Sequence, residues 1–228
     1  MSPSARPLIY AHRGASADHA ENTLPAFRGA GEQGSDWVEL DVHLSADDAL
    51  VVCHDAHFAD GREIWSTPAH ERPPTVPLLA EALDACAGMG VNIEIKVPRP
   101  GTRVAELVVA LVAARRSGGD EQEICISSFD ETTLDEVRAM DPALPTAQLL
   151  FDLSADPDAV ERAAAAGAVG INPWDPFVDA ELVRRCASLG LAVTPWTVDD
   201  RERIVELAAL GVDGIITNTP ALARSYLT

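Results

Sequence analysis

Residues 179–220 read DAELVRRCASLGLAVTPWTVDDRERIVELAALGVDGIITNTP, and one pattern runs through them twice. Asp179 precedes Leu182, Val183, Cys186 and Leu189 at helical spacing, Gly190 ends that segment, and the short apolar run 191–196 has strand character. Asp199 or Asp200 then opens a second helix through Ile204, Val205, Leu207 and Ala208, Gly211 stops it, and the strand-like run 212–217 follows. Asp suits the opening because its carboxylate accepts the unpaired amides of the first turn. Gly suits the stop because it enters the left-handed conformation at little cost.

Working outward, Asp156-Pro157 opens a helix running to Ala166, with Gly167 as its stop and the strand 169–172 after it. Upstream, Gly34 precedes the strand 37–41 and Gly90 the strand 91–96, with a helix over 78–87 between them. Val104, Leu107, Val108, Leu111 and Val112 mark a helix before the strand 124–128, and Asp130 caps another, with Leu134 and Val137, before the strand 146–150. Strands beginning near Leu8, Trp37, Leu50, Val91, Ile124, Thr146, Val169, Leu191 and Val212 make nine. Only residues 42–49 separate the second from the third, too few for a parallel crossover of about a dozen residues. Residues 42–53 therefore read as a hairpin turning at Ser45-Ala46-Asp47-Asp48, and eight parallel strands remain. Alternation of this kind is α/β, and eight units in this length predict a single (β/α)8 TIM barrel over 1–228, with a short insertion at about 55–77. A doubly wound open sheet is the alternative, against which no G-x-G-x-x-G follows the first strand.

Composition narrows the partners. Hydrophobic residues at 47% and charged residues at 23% describe an ordinary packed chain. Seventeen Lys and Arg against 36 Asp and Glu leave a net charge of −19, which argues against nucleic acid and anionic membrane surfaces. An anionic substrate would then need a bound cation or a few well-placed basic groups. No apolar stretch is long enough to span a bilayer, and the opening Met1-Ser-Pro-Ser-Ala-Arg-Pro lacks the apolar centre of a signal peptide, so a cytoplasmic location is expected. Cys53, Cys86, Cys125 and Cys186 are widely spaced and read as free thiols.

The strands end in polar groups: His12-Arg13, Glu39-x-Asp41, Glu94-x-Lys96, Ser127-Ser128, Gln148, Asn172, Trp196-Thr197 and Thr217-Asn218. On a barrel these converge on the C-terminal mouth. Residues two apart on a strand share a face, so Glu39, Asp41 and Glu94 would crowd into one cavity and repel one another unless a cation lay between them. Oxygen ligands alone suit Mg²⁺ or Ca²⁺ rather than zinc. His12 ends the first strand, and the hairpin brings His54 almost opposite Asp41, which suggests an acid–base pair. His19, His43, His57 and His70 have no comparable placement.

His12-Arg13-Gly14, Glu21-Asn22-Thr23 with Ala26-Phe27, Glu39-Leu40-Asp41-Val42, His54-Asp55, Glu94-Ile95-Lys96 and Trp196-Thr197-Val198 occur in that order. The set resembles the glycerophosphodiester phosphodiesterase family, a branch of the phospholipase C-like phosphodiesterase barrels, over nearly the whole chain. The resemblance implies divalent-cation-dependent hydrolysis of glycerophosphodiesters to sn-glycerol 3-phosphate and an alcohol. It implies His12 and His54 as the acid–base pair, Glu39, Asp41 and Glu94 as metal ligands, Arg13 and Lys96 as phosphate contacts, and Trp196 as a wall of the pocket. It also implies that the nucleophile is the substrate's glycerol hydroxyl, through a cyclic phosphate; His54 as base and His12 as acid is one order of the two.

The chain departs from the family pattern in three places. Ala49 stands where a turn Gly is common, Thr217-Asn218-Thr219-Pro220 replaces Thr-Asp-x-Pro, and the segment between His54 and Leu78 is short. A related barrel acting on lysophospholipids or sphingolipids would want an apolar mouth, which Phe58, Ile64 and Trp65 would offer unless they pack the insertion. A silent barrel that only binds a metal or phosphorylated ligand is the alternative of another class.

Overall fold

A computed structural model describes residues 6–97 and 103–227; the polar opening up to residue 5 lies outside them. Eight parallel strands form the wall: β1 (Leu8–His12), β2 (Trp37–Leu44), β4 (Gly90–Ile95), β5 (Ile124–Ser128), β6 (Thr146–Leu150), β7 (Gly170–Pro173), β8 (Ala192–Val193) and β9 (Gly214–Thr217). Their order is β8-β7-β6-β5-β4-β2-β1-β9. Backbone bonds from Asp213 N to Val193 O at 3.0 Å and from Ile216 N to Pro195 O at 2.9 Å bring the two ends together. The ninth strand, β3 (Leu50–Val52), pairs antiparallel with β2, Val42 facing Val52, so the hairpin stands outside the parallel wall as expected.

The helices α1 (Leu24–Glu32), α2 (Leu79–Ala85), α3 (Val104–Ser117), α4 (Glu131–Met140), α5 (Ala159–Ala165), α6 (Ala180–Leu189), α7 (Arg201–Leu210) and α8 (Pro220–Tyr226) cover the outside. Their termini follow from the sequence. Asp130, Asp179 and Asp200 accept the amides of Thr133, Leu182 and Arg203, and Gly190 and Gly211 take φ of 74° and 87° at the stops. Asp199, the other candidate opener of α7, is turned to Thr217 and Asn218 instead.

Some boundaries differ from the expectation. The helix expected from Asp156-Pro157 begins only at Ala159, because Asp156 is engaged by Arg162 and its amide by the Asp152 carbonyl. β8 is two residues rather than the six of the run 191–196, since Pro195 has no N–H for a ladder. Gly90 is a residue of β4, and the left-handed residue before it is Gly88. In the hairpin turn the positive φ, 60°, falls on Asp48, which explains why Ala49 is tolerated where a Gly was expected.

Strand alternation divides the core from the site. On β2, Val38, Leu40 and Val42 face out and pack with Phe27, Leu79 and Leu83; on β4, Val91, Ile93 and Ile95 join the same cluster. Burying each such side chain contributes about 1.5–3 kcal/mol, so the outward set fixes which residues face inward. A second cluster of Ile9, Val160, Ile171, Leu182, Ile204 and Leu207 covers the other side. In the insertion, Phe58 and Ile64 are buried against Val51 and pack it down, while Trp65, the third apolar residue named there, is 37% exposed. The four cysteines are free, and no described helix is long and apolar enough to cross a membrane.

Candidate active site

The inward residues of β1, β2 and β4 meet at the C-terminal mouth because of register: His12 lies beside Glu39, Glu39 beside Asn92, and Asp41 beside Glu94. Glu39, Asp41 and Glu94 are all buried, and each offers an oxygen within 4.8 Å of the others. Two unit charges at that separation repel by about 3–4 kcal/mol even at an effective dielectric constant of about 20. Three carboxylates therefore need compensation. Lys96 Nζ lies 3.0 Å from Asp41 Oδ1 and 2.6 Å from Glu94 Oε1, and Arg13 Nε lies 3.3 Å from Asp41 Oδ2. Were all three ionised, two cations against three anions would leave the cluster one charge short.

The electrostatic response is uneven. Burial, with the charge of Asp41, pushes Glu94 up to about 7, and burial with both neighbouring carboxylates raises Glu39 well above the usual range. Burial also pushes Asp41 upward, but Lys96, Arg13 and the Asn22 hydrogen bond outweigh it and hold Asp41 low. Although they face Lys96 at ion-pair distance, Asp41 Oδ1 and Glu94 Oε1 make no aligned hydrogen bond. Buried oxygens left in that state, with no sulfur among them, fit a hard divalent cation.

Arg13 and Gly14 belong to the tight loop after β1, with φ of 57° and 85°. A Cβ on Gly14 would stand 2.6 Å from the carbonyl carbon of Ala26, so the loop can lie on α1 only with Gly there. That seat points Arg13 inward, where its backbone N donates to Glu39 Oε2 at 3.1 Å and its guanidinium bonds Glu21 at 2.9 Å.

The two imidazoles arrive from different strand ends. His12 Nε2 is 4.0 Å from Glu39 Oε2, while its Nδ1 is 2.7 Å from Asn218 Oδ1. Burial, then the charge of Arg13, lowers the His12 pKa and favours the neutral ring. His54 follows β3. The residue bonded opposite Asp41 is Cys53, whose N donates to Asp41 O at 3.1 Å, so His54 lies one position further along. Its Nδ1 is 2.9 Å from Asp55 Oδ1.

A small cavity is lined by His12, Arg13, Glu39, His54, Glu94, Lys96 and Trp196. Asp41 lies just beneath, clamped by Asn22 Nδ2 at 2.7 Å. Trp196 is held by its indole N–H on Asn172 O at 2.8 Å and by the edge of Phe129, ring centres 5.8 Å apart.

The structure adds residues that the sequence left without a role. Asn22 orients Asp41. Asn92 Oδ1 and Ser127 Oγ lie in the cavity lining without a hydrogen-bond partner among the described residues. His43 Nε2 donates to the His54 carbonyl at 3.0 Å and so ties down the end of β3. Parity along the strands would have found Asn92 and His43, which share a face with Glu94 and Asp41; Ser127 was already among the strand-end polar groups, and Asn22, in the loop before α1, carries no such signal.

Residues 12–222 match the model of the glycerophosphoryl diester phosphodiesterase family. The chain is 33% identical to a glycerophosphodiester phosphodiesterase of Caldanaerobacter subterraneus subsp. tengcongensis, over 93% of this chain and 94% of that protein. It is 29% identical to one of Bacillus subtilis, over 97% and 86%. Among solved structures, an Oleispira antarctica phosphodiesterase in complex with the product sn-glycerol-3-phosphate superposes with a TM-score of 0.87 at 28% identity, covering 97% of this chain and 96% of that one.

Proposed function

The chain belongs to the glycerophosphoryl diester phosphodiesterase family, and from that premise we propose that the residues gathered at the barrel mouth carry its reaction. The protein hydrolyses glycerophosphodiesters to sn-glycerol 3-phosphate and an alcohol. The observation that carries the assignment to this site is the buried trio of carboxylates within 4.8 Å, beside a cavity that both His12 and His54 line.

Glu39, Asp41 and Glu94 would hold the divalent cation, Mg²⁺ or Ca²⁺. Bound there, the cation supplies positive charge to the phosphate's non-bridging oxygens. Arg13 and Lys96 add their charges from the same wall, which matters most as negative charge builds up on phosphorus. His12, kept neutral by burial, accepts the proton of the nucleophile at Nε2. His54, with Nδ1 on Asp55, presents its other nitrogen and hands a proton to the departing alkoxide. This order reverses the one first expected from sequence. Such positioned proton transfers are each worth ~10²- to 10⁴-fold. Trp196, fixed on Asn172, closes the side of the cavity.

One domain spanning the barrel carries this activity, in keeping with the reach of the family match from residue 12 to 222. The free thiols support a reducing, cytoplasmic setting. The paired imidazoles support an enzyme over a binding barrel, which has no need of two proton carriers.

The test is enzyme-coupled release of glycerol 3-phosphate from glycerophosphocholine. His12→Ala and His54→Ala should each lose at least ~10²-fold while the barrel still unfolds cooperatively. With a nitrophenyl ester of glycerol phosphate, whose leaving group needs no proton, the His54→Ala defect should shrink and the His12→Ala defect persist. Equal defects on both substrates would overturn the assigned order, and near-parent turnover in either variant would remove that histidine from the reaction.

A further inference from the structure

Residue 218 is one of the three places where the chain departs from its resemblance, with Asn in place of the expected Asp, and the structure places Asn218 between His12 and a carboxylate from another loop. Asn218 Nδ2 donates to Asp199 Oδ2 at 2.7 Å, and the Asn218 backbone N donates to Asp199 Oδ1 at 2.8 Å. Thr217 Oγ1 donates to that same Oδ1 at 2.8 Å, and Ser16 Oγ donates to Asn218 Oδ1 at 2.9 Å. A carboxylate only accepts, so Asp199 decides which end of the amide faces it. The remaining end, Oδ1, faces His12 Nδ1 at 2.7 Å and also only accepts. His12 must then carry its proton on Nδ1, which leaves the lone pair of Nε2 directed toward the Glu39 side of the cavity.

We propose that Asp199 and Asn218 are positioning residues that together set the orientation and the tautomer of His12. The acidic group absent from position 218 stands at 199 instead, one hydrogen bond further back, with an amide passing its direction to the imidazole. Neither residue reaches the cavity lining; both act through His12. The proposal rests on the reading of His12 as a proton carrier, and the test keeps the two separable because the tautomer is observed without substrate.

The experiment combines kinetics on glycerophosphocholine with ¹⁵N spectra of histidine-labelled protein, the His12 signals identified by their loss in His12→Gln. In Asn218→Ala, kcat should fall at least about 10-fold, by analogy with the loss when the outer partner of a metal-bound histidine is removed, with KM within about threefold. The Nδ1-protonated form of His12 should lose its dominance in the same variant. Asp199→Asn alone sets two amides against each other and should also lower kcat. Asp199→Asn together with Asn218→Asp restores one donor facing one acceptor and should recover most of the lost kcat. An unchanged tautomer in Asn218→Ala, or an exchanged pair no better than the worse single variant, would overturn the proposal. A displaced tautomer with kcat intact would confirm the positioning and instead sink the role of His12 as proton carrier.

Discussion

Burial of charge is what makes single residues here chemically distinctive. Burial beside Asp41 pushes Glu94 up to about 7 and raises Glu39 well above the usual carboxylate range, because their anionic forms are taken out of water. A cation must displace the protons these groups hold, so its affinity should rise with pH from 6 to 8 with proton release, as titration calorimetry in two buffers of different ionisation enthalpy would show. Affinity flat across that window would contradict the ligand assignment. Glu39→Gln or Glu94→Gln should weaken Mg²⁺ or Ca²⁺ by at least about tenfold, the loss seen even for residues one layer behind a ligand. Glu39 with Asp41 and Glu94 with Lys96 could be placed on one wall from sequence because each pair is two apart along its strand. His12, Arg13, His54 and Trp196 were placed only by ending or following a strand. The Asp199–Asn218 link to His12 was not legible, since 206 positions separate Asn218 from His12 and only closure of the barrel joins them.

For individual elements, the register of β2 against β4 is the feature the site depends on. A slip of one residue would send Glu39 and Asp41 into the helix layer and Val38 and Leu40 into the mouth. Gly90 helps hold that register, since a Cβ there would stand 2.3 Å from the Trp37 ring, which itself stacks on Tyr10 with ring centres 5.3 Å apart. Gly90→Ala should cost about 1–3 kcal/mol by overpacking, or roughly 2–12 °C in Tm, read by scanning calorimetry; an unchanged Tm would show that the ring moves freely aside. The strands and Asp-capped helices could be read from sequence because local chemistry sets them. The ends of α5 and β8 could not, because the Asp156–Arg162 pairing and the missing N–H of Pro195 compete with the local signal.

Taken whole, the molecule carries a charge of −19 and still concentrates Arg13 and Lys96 at the mouth, so attraction for a phosphodiester is local rather than global. The opposite end is tied by Asp36, which accepts from Arg6 at 2.9 Å, the Ile9 amide at 2.9 Å and Arg224 at 2.9 Å, joining the first strand to the last helix. Burial raises the Asp36 pKa, but these bonds outweigh it and hold it at about 2. Its folded value lies below the unfolded value of about 3.9, so its contribution is full above that pH and is lost as the pH falls toward 2. Asp36→Asn should flatten the fall in urea midpoint between pH 4 and 2; an identical acid profile would show that other carboxylates govern it.

The central claim is that the carboxylates of β2 and β4 grip a divalent ion on which turnover depends. The most direct measurement is glycerol 3-phosphate release from glycerophosphocholine by protein stripped with a chelator, before and after Mg²⁺ or Ca²⁺ is returned. Loss of turnover on stripping, with recovery by one of these ions in the parent and not in Glu39→Gln, is the predicted result. Full turnover by the stripped protein would contradict it.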